Sequence, residues 1–273
     1  MHLYISYLAV VLIYLTVAFD FWRAITPMAT EHHLNVRSTK LHGTLIALAL
    51  IIHGGLLYAS ILSHGLNLGF YNALSLIFWL TVLIYWVANI KHQLHSLQAF
   101  VLPPAALFAL LPAFVVENHY LPESTSSLFV VHIVIAILAY SLFTFAAIHA
   151  LLMLVAERHL HKKTSFIKLP DFPPLMVMEN LLFKVIGLGF ILLTITLVSG
   201  MLFSEELFGK PMQLNHKTIF SIASWFIYGS LLFGRFAYGW RGRKAIHWVL
   251  IGFVLLLLAY IGSKFVLEIV LHR

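Results

Sequence analysis

Eight apolar runs, each about long enough to cross a bilayer, divide the chain at roughly 3–25, 43–62, 68–90, 97–116, 127–156, 178–203, 218–238 and 246–270. About 20 apolar residues in helical form span the hydrocarbon core. Inside lipid, a helix can satisfy its backbone N–H and C=O groups within the segment. The pattern therefore predicts an all-α, polytopic membrane protein of about eight transmembrane helices. Little chain remains between the runs, so residues 1–273 read as a single integral membrane domain. The first run lacks a basic leader and a small-residue cleavage site, and reads as a retained helix rather than a signal peptide.

The breaks in the pattern carry further expectations. Asp20-Phe21-Trp22-Arg23 closes the first run and reads as an interfacial anchor. The segment 26–42, with His32, His33 and His42, reads as a solvated loop. The aromatics near the ends of the third run, Tyr71, Tyr85 and Trp86, read as an aromatic belt. Pro103, Pro104 and Pro112 predict a kinked fourth helix whose freed carbonyls find partners on its neighbours. Pro173-Pro174 followed by Glu179 marks a helix start. The turn Gly239-Trp240-Arg241-Gly242-Arg243-Lys244 reads as a topological anchor in contact with lipid headgroups.

Composition supports this class, with 61% hydrophobic and 10% charged residues. A soluble domain of this length needs far more charge on its surface. Of the 17 Lys and Arg, 13 fall on one side of the predicted membrane and 4 on the other. The positive-inside rule places the 13 in the cytoplasm, with both termini and the 204–217 loop outside. The net charge of +7 follows from that topology and is no nucleic-acid signal. The absence of cysteine excludes thiol chemistry and covalent haem attachment.

Sixteen histidines in so uncharged a chain draw attention to metal or haem. His53 lies about 14 Å from the outer end of the second run and His132 about 11 Å inside the fifth, by helix rise. An imidazole at such depth needs a partner, and Gly54-Gly55 beside His53 would let a flat ligand approach. Each ring could equally bond a carbonyl or hydroxyl of a neighbouring helix. His149, about 26 Å beyond His132 by the same rise, belongs to the cytoplasmic side.

From Leu175 onward the chain resembles the cytochrome c assembly superfamily, of the haem-handling CcsA and CcmC type. The residues are Leu169-Pro170, Pro173-Pro174-Leu175, Gly187-x-Gly189-Phe190, Leu193-Thr194, Ser199-Gly200, Trp225-x-x-Tyr228, Gly239-Trp240-Arg241-Gly242, Gly252-Phe253 and Tyr260-x-Gly262. His132-Ile133 and Ala139-Tyr140 join them, so the resemblance covers about 126–273. The family's tryptophan-rich external segment is replaced. Phe203, Phe208, Met212 and Leu214 stand at tryptophan positions, and Asn215-His216-Lys217-Thr218 stands for Asp-Pro-Lys-Glu. Phe233 occupies the position of a family histidine. The chain is thus similar to the divergent YpjD/HemX-like inner-membrane branch.

The resemblance implies a haem-binding or haem-handling protein associated with cytochrome c assembly. It would hold b-type, non-covalent haem with His53 and His132 as the iron ligands. His216 and His272 would be secondary or transfer ligands, and Lys210 and Lys217 candidates for the propionates. Its expected partners are the lipid bilayer, haem and cytochrome c maturation proteins, with no nucleic acid. Two other readings stay open: a non-catalytic scaffold or regulatory subunit, and a partner of a metal-ion or haem transporter. No hydrolytic triad, phosphate loop or dinucleotide fingerprint is present, so the chain does not read as an enzyme.

Overall fold

A computed structural model describes residues 2–23, 36–63, 65–92, 94–115, 127–161, 173–208 and 216–262. Among them are eight α-helices: α1 His2–Arg23, α2 Val36–Ile61, α3 Phe70–His92, α4 His95–Phe114, α5 Ser127–His161, α6 Leu175–Phe208, α7 His216–Tyr238 and α8 Gly242–Leu257. A π-helical turn, Leu258–Gly262, extends α8. All eight are long and apolar enough to cross a membrane, so the fold is the all-α polytopic one expected. α5, at 35 residues, is about 52 Å long by helix rise and exceeds the roughly 30 Å hydrocarbon core. α6 begins directly after Pro173-Pro174, where proline supplies helical φ and needs no donor.

Two compact units lie within the span expected as one membrane domain. The first comprises residues 1–121 and 155–177, the second 122–154 and 178–273. In the first unit α1 packs on α4 and α2, and α3 packs on α4 and α2. Indole donors close these interfaces. Trp79 Nε1 donates to the Leu50 carbonyl at 2.8 Å and Trp86 Nε1 to the Gly43 carbonyl at 2.9 Å. Donors and acceptors both step by seven residues, two helical turns, along antiparallel helices. Trp86, expected in an aromatic belt, also bonds α2 through its indole N–H. Gly54 leaves space for the Trp79 ring, which an added Cβ would approach to 3.2 Å.

One carbonyl freed by proline in α4 has the partner expected for it on a neighbouring helix. Pro103 has no N–H for the carbonyl four residues back, that of Ala99, and Trp22 Nε1 of α1 donates to this carbonyl at 3.2 Å. His42 departs from its expectation. The polar run Val36–His42 is helical, and His42 is buried against Phe21, with Nε2 3.4 Å from Asp20 Oδ2. His32 and His33 lie outside the described residues.

In the second unit α7 and α8 form a hairpin. Its turn places Gly239 and Gly242 at φ +64° and +56°, where a side chain is strained. Ser224 Oγ donates to the Gly252 carbonyl at 2.9 Å, and Tyr228 OH to that of Val249 at 3.3 Å. A Cβ on Gly252 would come within 2.8 Å of the Tyr228 ring, so this is close packing through a small residue, common between membrane helices. Phe143 of α5 stacks on Tyr228, centroids 4.0 Å apart, and fills the space left by Gly189 of α6.

Candidate functional site

Two polar clusters of the second unit lie at opposite ends of its helices. The outer end, by the charge rule, contains His132 of α5, Ser199 and Gly200 of α6, Lys217 at the start of α7, and Tyr260 after α8. His132 is half-buried. Its Nδ1 lies 2.7 Å from Ser199 Oγ, and the same hydroxyl is 2.6 Å from the Ile195 carbonyl of its own helix. With the hydroxyl hydrogen on Ile195, Ser199 accepts from Nδ1–H; with it on Nδ1, the imidazole is the other tautomer. Either way the bond fixes the ring. A metal-ligating histidine is commonly held this way, by a bond on its other nitrogen.

The ring plane is held as well. Phe129 stacks beside it, centroids 5.9 Å apart and 13° between planes. Gly200 faces it without a side chain, where a Cβ would sit 3.4 Å from Cε1. Lys217 is close enough to act electrostatically on His132, and its ammonium lies 5.4 Å from the Tyr260 ring centroid. Tyr260 in turn packs on Tyr140, whose hydroxyl donates to the Leu256 carbonyl at 3.3 Å. His216, adjacent to Lys217, is exposed. Lys210 and His272 lie outside the described residues.

His53 belongs to the first unit and is fully buried. Its Nε2 lies 3.0 Å from Ser75 Oγ and its Nδ1 3.5 Å from the Tyr14 hydroxyl. A neutral imidazole has one donor and one acceptor, so α1 and α3 between them meet both. His149 is buried in the second unit, where Nε2–H donates to the Met178 carbonyl at 3.1 Å. Among the described residues no three His, Asp or Glu side chains converge as a metal site.

The inner end is an ion-pair cluster that the sequence reading missed. Glu179 Oε1 accepts from Arg235 Nη1 and from Arg241 Nε, each at 2.7 Å. Its Oε2 lies 3.3 Å from the Gly242 N–H. One carboxylate thus ties together the start of α6, the end of α7 and the start of α8. Arg241, expected at the headgroups, is engaged with Glu179 through Nε while its side chain stays 48% exposed. The available signal was a lone acid early in an apolar span, which is costly unless paired, together with Arg235 at the end of the following helix.

Comparison with known proteins follows the same outline. The family described as Cytochrome C assembly protein matches residues 41–271. The inner membrane protein YpjD of Escherichia coli K12 is 32% identical over 233 residues, 82% of this chain and 85% of its own. The cytochrome c biogenesis protein CcsA of Guillardia theta is 26% identical over 159 residues, 53% of each chain. CcsA of Gloeobacter violaceus is 32% identical over 91 residues, 33% of this chain and 27% of its own. No solved structure matches.

Proposed function

We propose that this chain, which belongs to the Cytochrome C assembly protein family and resembles YpjD, binds and handles haem in cytochrome c biogenesis at a bacterial cytoplasmic membrane. The site is the outer end of the second unit. One observation carries the proposal: His132 is half-buried, with its Nδ1 held 2.7 Å from Ser199 Oγ and Lys217 close enough to act on it. Haem presents an iron that takes an imidazole nitrogen, a flat macrocycle and two carboxylates. The residues fit these needs. His132 would ligate iron, Phe129 and Gly200 would flank the ring, and Lys217 would meet a propionate. His216 and His272 remain candidates for a second or transfer ligand. The role is binding and hand-over rather than catalysis, with maturation proteins as partners and both termini periplasmic.

His53 enters this proposal on weaker terms. To serve as the axial partner of His132 it must give up Ser75. A second reading, in which the first unit is scaffold and His53 is structural, is favoured by the bonding of both its nitrogens within that unit.

Absorption spectra of detergent-purified protein from haem-replete cells, oxidised and reduced, test the proposal. The wild-type protein should show the sharp reduced bands of low-spin haem, and His132→Ala should lose them. Ser199→Ala should weaken haem retention about 10–100-fold, the usual cost of removing a second-shell partner. If His53→Ala keeps the bands, His53 is structural; if it loses them in folded protein, the axial pair stands. A colourless wild type refutes haem binding.

A further inference from the structure

The hairpin of α7 and α8 carries an open groove of about 480 Å³. Its lining is aromatic, with Trp225, Phe226, Phe233, Trp240 and Trp248, and it includes Ser230. The rings of this wall are held in place. Trp240 occupies the space above Gly234, where a Cβ would collide with the indole, and it packs on Trp248 with centroids 5.1 Å apart. Trp225 stacks on Phe190 at 5.4 Å and gives its N–H to Thr194 Oγ1 at 2.8 Å.

Hydrogen bonding in this wall departs from that in the rest of the chain. Of the six tryptophans, four give the indole N–H to an oxygen of a neighbouring helix: Trp22 to Ala99, Trp79 to Leu50, Trp86 to Gly43 and Trp225 to Thr194. Trp240 and Trp248 pack by their rings, and among the described residues neither indole N–H meets an acceptor. Ser230 differs in the same way. Thr194, Thr196 and Ser199 return their hydroxyls to a carbonyl four residues back, whereas the hydroxyl of Ser230 has no such bond among the described residues. By helix rise Ser230 lies about 12 Å from the end of α7 and Trp248 about 9 Å from the start of α8. Polar groups within a membrane span are costly when their hydrogen bonds go unmet.

We infer that this groove binds the ring of a lipid-soluble quinone. Two features select that class. The face of an indole is negative through its π electrons, and a quinone ring is electron-poor, so the two faces are complementary in charge. A quinone also carries two carbonyl oxygens that accept and no donor, while an indole N–H can only donate. A saturated acyl chain would use neither feature. Size agrees, since small-ligand sites run about 300–1,000 Å³, and the open side lets an isoprenoid tail leave into the bilayer. The oxidised form is the one preferred. In the quinol each carbonyl becomes a hydroxyl whose own hydrogen needs an acceptor, and the ring is no longer electron-poor.

Native mass spectrometry of the delipidated full chain tests this, with decylubiquinone, its quinol and phosphatidylethanolamine as probes. The wild type should bind one decylubiquinone ahead of the other two. W240F/W248F keeps both rings and removes both donors. It should weaken decylubiquinone by roughly 5–100-fold, since each hydrogen bond contributes about 0.5–1.5 kcal/mol. Ser230→Ala removes an exposed hydroxyl and should weaken it by about 2–10-fold on the same scale, in a variant that gives up no described contact. Trp79→Phe removes an indole donor that is bonded within the first unit and should leave quinone binding unchanged. Equal binding of quinone and quinol, equal binding of phosphatidylethanolamine, undiminished binding in S230A and W240F/W248F, or an equal loss in W79F overturns the inference.

Discussion

Replacing Glu179 by Gln should cost more stability than any other single charge removal among the described ion pairs. The Glu179 side chain is 8% exposed and accepts from Arg235, at 26%, and Arg241, at 48%. Breaking a fully buried pair costs about 3–5 kcal/mol, while exposed pairs contribute about 0–1. Arg241 is close to the exposed limit and Arg235 nearer the buried one, so the loss should be about 2–3 kcal/mol. At roughly 2–4 °C per kcal/mol for chains of this size, the apparent midpoint should fall by about 5–10 °C. The assay is the fraction of detergent-solubilised protein that stays monodisperse after heating, since membrane proteins unfold irreversibly and the midpoint is operational. Asp20→Asn supplies the contrast. That carboxylate is 59% exposed and 3.4 Å from His42, and its removal should cost about 0–1 kcal/mol. Arg235→Gln should exceed Arg241→Gln, and the E179Q/R235Q pair should be less than additive. A Glu179→Gln shift no larger than that of Asp20→Asn would refute the reasoning.

Two further outcomes are expected. Trp79→Phe keeps the ring but removes the donor to the Leu50 carbonyl, and should cost about 1 kcal/mol in the same heating assay; no measurable shift would mean the indole bonds are not holding α2 to α3. A reporter fused after Arg273 should read as periplasmic, from the 13 to 4 division of basic residues; a cytoplasmic signal there would overturn the topology.

The helices were legible because lipid leaves few options: an apolar run of sufficient length must be helical to satisfy its own backbone. The polar starts were harder. Val36–His42 has the composition of a loop, yet it is helical because Phe21 and Asp20 of α1 cover one side of His42, and that neighbour cannot be read from the segment alone. The motif residues were legible as a set but not as contacts. Gly189 accommodates Phe143, Trp225 bonds Thr194, Tyr228 packs on Gly252, Ser199 holds His132, and Tyr260 meets Tyr140. The family pattern in the second unit is therefore largely a list of partners. Depth along a helix can be counted from sequence, and it assigned His53 and His132 to the outer half. It gives no azimuth, and azimuth decided that His53 meets Ser75 and Tyr14.

The two ends of the second unit show why one is structural and the other suits a ligand. At the inner end a carboxylate meets two guanidiniums and a backbone N–H, so its acceptors are taken and it adds rigidity. At the outer end the described side chains are an imidazole, a hydroxyl, a cation and aromatic rings, with no acid among them. Ser199 Oγ lies within hydrogen-bond reach of His132 Nδ1 and of two carbonyls of its own helix, and so fixes the imidazole. That imidazole stands beside a cation. Such a pairing does not attract a bare metal ion, which Lys217 would repel. Under the haem binding proposed above, a propionate would meet Lys217 while the iron meets His132, and Lys217→Gln would remove the charge that favours haem over a free metal ion.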